Sequence, residues 1–407
     1  MPANMPEVGD RIVSKGLINL LRLIGAAAYY FALALLLGPS AFGVFAAALA
    51  VLAVLNPIFD MGASTLVTSD LVQGREPQDV LQENVGAWVY ATITGQIVAV
   101  PIVMFVASPM EIGIAVAICL GSIIQLRPLA VAVSTFNVGS SIKRYLWFEA
   151  FVLFLRGSAI VLMASQPMSL RFASIVHAAL GLAIALSAWR AVRAEVSSAI
   201  LRPMRAIRTI LRGSRFALGL ASQAAIAEMD KVGLSIASSD EEVGTYSFAA
   251  RLMTLATMPI HSLLAARYPE NFMSDGFQRM RRARAFLRRG VGLGVVITLF
   301  IWTAAGPLLA YVAPTYSGSF TSLRILAIIP VLHAFSFIGG DILTGAGRQN
   351  ARSLVQLLAA MSCLSLSLYL TPHMGQSGAA IARVTSEALL AVVIWALVAL
   401  RPNLVRS

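Results

Sequence analysis

Residues 214–237 read SRFALGLASQAAIAEMDKVGLSIA, an apolar run long enough to cross a bilayer that carries Glu228, Asp230 and Lys231 within one turn. An α-helix rises 1.5 Å per residue, so about 20 residues traverse the roughly 30 Å of hydrocarbon. A charge at the bilayer centre costs roughly 2.5 to 3.5 kcal/mol on insertion scales, so three in one turn are tolerable only against other protein or a watery cavity. The stretch therefore predicts a span that borders a functional space. It begins near the midpoint of the chain, directly after an arginine-rich segment, where it opens a second half of the molecule.

The rest of the chain repeats the pattern. Its 407 residues are 58% hydrophobic and 12% charged, with a mean hydropathy of +0.79, where a soluble globule carries about 25% charged residues. This composition predicts an all-α polytopic membrane protein. Twelve spans are expected, at roughly 14–37, 40–66, 84–107, 111–136, 145–164, 169–189, 214–237, 243–266, 287–312, 320–345, 350–370 and 377–400. With both termini in the cytoplasm, 23 of the 31 Lys and Arg fall on the inner side. Arg171 and Arg324 fall outside, and six lie within spans. That is the positive-inside distribution, so the net charge of +12 is topogenic and nucleic acid is not an expected partner. No hydrophilic segment is long enough for a soluble domain. A cleaved signal peptide is not expected, because the first apolar run has full span length and continues into a hairpin. Cys119 and Cys363 lie within apolar spans without metal or redox spacing and read as core residues.

The first hairpin is predicted at Leu37-Gly38-Pro39-Ser40-Ala41-Phe42-Gly43, where glycine stops one helix and proline restarts the next. This pattern, followed by an apolar helix ending near Asp60-Met61-Gly62, resembles the opening of Wzx-type O-antigen and polysaccharide flippases of the MATE-like superfamily. Three later segments agree. Val243-Gly244-Thr245-Tyr246-Ser247-Phe248-Ala249-Ala250-Arg251 resembles the start of that family's eighth span, Gly345-Ala346-Gly347-Arg348 the end of its tenth, and Gly378-Ala379-Ala380-Ile381-Ala382 its last. The resemblance runs from about residue 11 to 400, and its signal lies in the order and spacing of motifs that are individually weak.

Internal repetition supports two halves. Gly43-Val44-Phe45-Ala46 and Gly244-Thr245-Tyr246-Ser247 both open a span, 201 residues apart, and Pro57 and Pro259 follow 14 and 15 residues later. The expected organisation is an N-terminal six-helix lobe (1–189), a basic linker (190–213) and a C-terminal six-helix lobe (214–407). In and just after the linker, Arg202, Arg205, Arg208, Arg212 and Arg215 recur at helical spacing, which predicts an amphipathic surface helix attracted to anionic membrane lipids.

Six cationic and six acidic groups fall within the expected spans: Arg22, Arg127, Arg156, Lys231, Arg251 and Arg383 against Asp60, Glu149, Glu228, Asp230, Asp341 and Glu387. Glu228 with Lys231 (i, i+3) and Arg383 with Glu387 (i, i+4) have the spacing of structural ion pairs. Asp230 then needs a partner from another helix. Because it lies about 11 Å and Arg251 about 12 Å below the outer ends of their spans, the two are predicted to face each other. Arginine binds phosphate oxygens bidentately and stays charged, so Arg22, Arg127, Arg156 and Arg251 are candidate diphosphate ligands. Tyr29, Tyr30, Trp88 and Trp147 could stack on sugars, but aromatics at span positions are more often packing residues or interface anchors. Asp60, Asp230 and Asp341 are candidates for ion coupling or gating. His177, His261 and His333 read as isolated, with no ligand spacing, and no metal site is expected.

No Walker phosphate loop and no Gly-x-Ser-x-Gly elbow is present. The resemblance implies two lobes around a central, partly cationic cavity and transport rather than catalysis. Its expected cargo is a polyprenyl-diphosphate-linked oligosaccharide, an O-antigen, capsule or exopolysaccharide repeat unit. That unit is moved by alternating access across a bacterial cytoplasmic membrane with H+ or Na+ as coupling ion and no other cofactor. Polysaccharide polymerase and assembly proteins are the implied protein partners. The competing expectation is a cation-coupled multidrug exporter of the same superfamily, against which the arginines count. From another class, a membrane glycan polymerase or ligase is disfavoured by short outer loops.

Overall fold

The computed structural model describes residues 8–138, 142–193, 203–265 and 276–400. Their regular structure is helical, with no strand among the described residues. The helices are α1 (Val8–Asp60), α2 (Ala63–Val72), α3 (Pro77–Val106), α4 (Ile112–Ile123), α5 (Leu126–Val138), α6 (Ile142–Ala164) and α7 (Leu170–Arg193). There follow α8 (Pro203–Ala237), α9 (Asp240–Ala265) and α10 (Gly276–Val312), then a 3₁₀ turn (Pro314–Ser319). The chain closes with α11 (Phe320–Leu326), α12 (Ile329–Gly345), α13 (Gln349–Met374) and α14 (Gln376–Ala399).

Among the described residues, eight helical stretches, or nine when the bent α11–α12 pair is taken as one span, are long and apolar enough to cross a membrane. α1 continues for 53 residues through a break at Gly38, whose φ of 74° and ψ of 169° lie outside the helical region. Glycine reaches this conformation without a Cβ clash, and Pro39 restarts the helix where no amide hydrogen bond is needed. At 1.5 Å per residue α1 is long enough for two spans. α8 and α9 are also long enough but less apolar: α8 carries Glu228, Asp230 and Lys231 along its span, and α9 carries Arg251 among many small polar side chains. Counting these two and both limbs of α1 gives the expected twelve. Apolar surface on the outside fits lipid as solvent: Val296, Leu299, Phe300 and Trp302 of α10 are each more than half exposed.

The chain forms two compact units. The first comprises Met1–Leu37 and Val51–Leu220. Within it α4 packs along α7, α2 along α5, and α3 on α4. A charged latch ties the start of α8 to the α2–α3 turn. Asp70, 2% exposed, accepts from Arg75 at 2.7 Å and from Arg212, Arg75 also reaches Glu83 at 2.9 Å, and Thr209 donates to Glu83 at 3.2 Å. The described part of the basic segment is thus the first turns of α8. Arg212 is held by a carboxylate rather than left for lipid, whereas Arg208 is exposed. Arg202 and the Arg205 and Arg215 side chains lie outside the described residues.

The second unit comprises Gly38–Ala50 and Ala221–Ser407, so residues 38–50 of the expected N-terminal lobe cluster here. The reason is a close crossing of α1 and α9. A Cβ placed on Gly43 would overlap the Asp240 carbonyl oxygen, and one on Gly244 would overlap that of Pro39. The two glycines that mark the internal repeat therefore pack backbone to backbone. Phe248 stacks on Tyr316 at 4.3 Å, and Phe42 meets the same ring edge-on at 6.3 Å. Elsewhere α13 packs along α14, and α12 on both α10 and α14.

Candidate functional site

In the first unit, α1 and α6 bring two of the arginines together. Arg22 pairs with Glu149 at 2.7 Å and donates to the Tyr145 hydroxyl; Glu149 is 1% exposed and Arg22 31%. Arg156, two turns further along α6, donates to the Arg22 carbonyl at 3.2 Å and lies within electrostatic reach of Arg22, Glu149 and Tyr29. Two guanidiniums thus share one carboxylate. Among the described residues Arg156 has only a carbonyl for a hydrogen-bond partner, leaving most of its planar fork of donors uncommitted there.

Arg127 does a different job. It is 1% exposed, donates to Asn84 Oδ1 at 2.8 Å and to the Asp60 carbonyl at 2.6 Å, and thereby ties α5 to α3 and to the end of α1. Asp60 accepts the Ala63 amide at 3.0 Å across the bend at Met61 and Gly62, leaving its other carboxylate oxygen buried without a hydrogen-bond partner among the described residues. Asn56 Oδ1 on the same helix, and Thr92 Oγ1 and both polar atoms of Gln96 on α3, are also buried without a partner among the described residues.

In the second unit a cavity of about 160 Å³ is lined by Asp230 and Lys231 of α8, His261 of α9, His333 of α12, Arg352 of α13, and Arg383 and Glu387 of α14. Lys231 Nζ pairs with Glu228 at 2.5 Å and Arg383 with Glu387 at 2.9 Å. Asp230, 2% exposed, accepts the Tyr246 hydroxyl at 2.6 Å and the Lys231 amide at 2.9 Å, with Arg383 at 4.0 Å. Arg383, not Arg251, is the cation opposite Asp230. Equal depth put Arg251 at the right height, but it lies five residues beyond Tyr246 and so about 140° further round α9. Arg251 does not line the cavity. Asp341 pairs with Arg352 at 3.1 Å.

The histidines are where the fold departs furthest from the sequence reading. His261 Nε2 lies 3.3 Å from His333 Nδ1, and His333 Nε2 lies 3.2 Å from Glu387 Oε1. His261 and His333, 72 residues apart in sequence, thus form one chain with a carboxylate. The available signal was depth: each sits roughly 20 residues, about 30 Å, from the start of its helical stretch at Asp240 or Pro314. His177 is instead a tether, held between Tyr29 at 3.2 Å and Ser122 at 3.1 Å. Of the expected stacking aromatics, Tyr29 and Tyr30 are buried, Trp88 donates to the Ile124 carbonyl at 2.7 Å beside Trp189, and Trp147 is 77% exposed. Those positions are packing and surface roles.

No protein-family model matches the chain, and no curated protein matches it in sequence. Solved structures do match in fold. An inward-facing multidrug resistance MATE family transporter of the MOP superfamily superposes with a TM-score of 0.72 at 15% identity, over 94% of this chain and 95% of that one. An outward-facing multidrug resistance MATE family transporter gives 0.59 at 16%, over 97% and 93%. A MOP superfamily transporter from Pyrococcus furiosus, described as having a binding pocket of reverse polarity that suggests a different function, gives 0.57 at 16%, over 97% and 94%. The chain therefore has the MATE-like all-α polytopic fold, and the first two of these neighbours are transporters, one in an inward-facing and one in an outward-facing conformation.

Proposed function

We propose that this chain is a flippase that moves a polyprenyl-diphosphate-linked oligosaccharide across a bacterial cytoplasmic membrane, with both termini cytoplasmic and no catalytic step. The observation that carries the reading is Arg156. It is a half-buried guanidinium whose only hydrogen bond among the described residues is to a carbonyl, beside an Arg22 that already takes up the nearest carboxylate. A guanidinium in that position suits a diphosphate, which accepts bidentately. The buried, unpartnered oxygens of Asn56, Thr92 and Gln96 support a hydroxyl-rich cargo, since buried polar atoms need water or a polar ligand. The motifs at Leu37–Gly43 and Val243–Arg251 support the same family branch. Polymerase and assembly proteins that use the product, and anionic lipid at the exposed Arg208, are the partners this reading implies.

The likeness in fold supports a cation-coupled multidrug exporter equally well, because multidrug resistance transporters share it. The Pyrococcus furiosus transporter, whose binding pocket is described as of reverse polarity, supports keeping a cargo other than drugs for this fold. The readings part on charge. In cells deleted for the gene, lipid-linked glycan should accumulate on the cytoplasmic leaflet, and Arg156→Gln should fail to relieve it although the protein reaches the membrane. Efflux of an organic cation dye that survives Arg156→Gln, with no leaflet accumulation, would assign the chain to the exporters.

A further inference from the structure

We propose that His261 and His333 form a proton-binding pair through which the cavity of the second unit exchanges one proton. The hydrogen bonds determine the direction of the chain. Glu387 already accepts from Arg383 at 2.9 Å, so its contact with His333 Nε2 at 3.2 Å is made by an Nε2–H donor. A neutral imidazole has one donor and one acceptor. His333 Nδ1 must then accept, and the group that donates across the 3.3 Å gap is His261 Nε2–H. This leaves His261 Nδ1 as an unprotonated acceptor with no partner among the described residues, on a side chain that lines the cavity.

The consequence is a two-ring relay. A proton arriving from cavity water bonds to His261 Nδ1 while the Nε2 proton of His261 passes to His333 Nδ1. One N–H bond forms and one breaks on His261, one forms on His333, and the added charge comes to rest on His333 beside the Glu387 carboxylate. Release runs the same steps backwards. The other charged groups of the cavity already have protein partners. Asp230 is held by Tyr246, the Lys231 amide and Arg383, while Glu387 is held by Arg383 and His333. Lys231 and Arg352 are already cationic and paired with Glu228 and Asp341. α10, which packs on α12, lends no charged side chain to the cavity. His177 has the opposite geometry, with both ring nitrogens engaged, and serves as an internal control.

Before protonation three cations, Lys231, Arg352 and Arg383, face two carboxylates in the cavity; afterwards four do. Proton uptake therefore changes the charge that the cavity presents. Its use in driving transport rests on the transporter reading above, but the proton site itself is testable without cargo. The chain has four histidines. The full chain, labelled with ¹⁵N-histidine and reconstituted in phosphatidylcholine vesicles, is followed by solid-state NMR from about pH 8 to about pH 4, across and below the histidine range. Assignments come from His261→Gln and His333→Gln.

In the wild type, His333 should become doubly protonated as His261 switches from Nε2–H to Nδ1–H. Both changes should share one midpoint, with the protonated-to-neutral ratio rising tenfold per pH unit. His333→Gln should abolish the coupled switch. Separate midpoints for the two rings, or a His261 that remains Nε2–H throughout, would overturn the relay. The wild-type titration stands even if a variant misfolds. A coupled titration with a negative leaflet assay overturns the cargo reading alone, and the reverse combination overturns the proton pair alone.

Discussion

Arg383→Met should be among the most destabilising single changes in the second unit, for a reason that can be worked from its contacts. Arg383 is 7% exposed, pairs with Glu387 at 2.9 Å, donates to the Ile226 carbonyl and faces Asp230 at 4.0 Å, and both carboxylates are 2% exposed. Methionine approximates the stem and removes the charge. Asp230 keeps the Tyr246 hydroxyl, the Lys231 amide and the Lys231 ammonium at 3.7 Å, but among the described residues Glu387 keeps only His333. Removing one member of a buried ion pair costs about 3–5 kcal/mol, chiefly because the other charge is left uncompensated. That corresponds to roughly a 10²- to 4 × 10³-fold shift in the folding equilibrium. Denaturant unfolding of the purified protein in mild detergent, followed by tryptophan fluorescence, reads the loss. Arg383→Met with Glu387→Leu removes the orphaned carboxylate as well and should recover part of it, since an apolar replacement of a whole pair is often near neutral. A single variant within about 0.5 kcal/mol of wild type, the scale of ordinary surface changes, or a double variant no better than the single, would refute this account.

Three further outcomes follow from the same kind of accounting. Arg127→Gln should lose stability by about 1.5–3 kcal/mol for each charge-assisted hydrogen bond it abandons, to Asn84 and to the Asp60 carbonyl, and the readout is the melting of the detergent-purified protein. Gly43→Ala should destabilise by at least the 1–3 kcal/mol typical of overpacking, because its Cβ meets the Asp240 carbonyl rather than a movable side chain, whereas Gly74→Ala, with open space around it, should avoid that overlap and pay only for its positive φ. Burial raises the Asp240 carboxyl, at the start of α9 outside the span, above the usual carboxylate range. Its ionised form is the penalised one, so this group adds stability as pH falls through its range, and a pH series of melting temperatures should lose that increment in Asp240→Asn.

Local spacing carried part of the site. Glu228 with Lys231 and Arg383 with Glu387 are neighbours on single helices, and a 3.6-residue period places such pairs without any knowledge of the fold. Contacts between helices behaved differently. Depth along the membrane normal follows from counting residues, and it put Asp230 level with Arg251, but the rotation of each helix about its own axis is set by packing. Tyr246 turned toward Asp230, Arg251 turned away from the cavity, and Arg383 came in from α14. Arg127 shows the same limit. Its charge within a span suggested a ligand site, whereas the structure spends its donors on Asn84 and the Asp60 carbonyl.

By itself the sequence determined the all-helical, many-span architecture, because runs of about 20 apolar residues have one economical form in hydrocarbon, with every backbone group satisfied within its own helix. It also determined the break at Gly38-Pro39 and the repeated glycines at 43 and 244, which are local requirements of backbone geometry. Only the tertiary structure decided which charges meet: Arg22 with Glu149 across 127 residues, Arg383 with Asp230, and His261 with His333 and Glu387. These are contacts between elements distant in sequence. Whether two side chains at equal depth touch depends on helix rotation and neighbour choice, and those are properties of the packed unit.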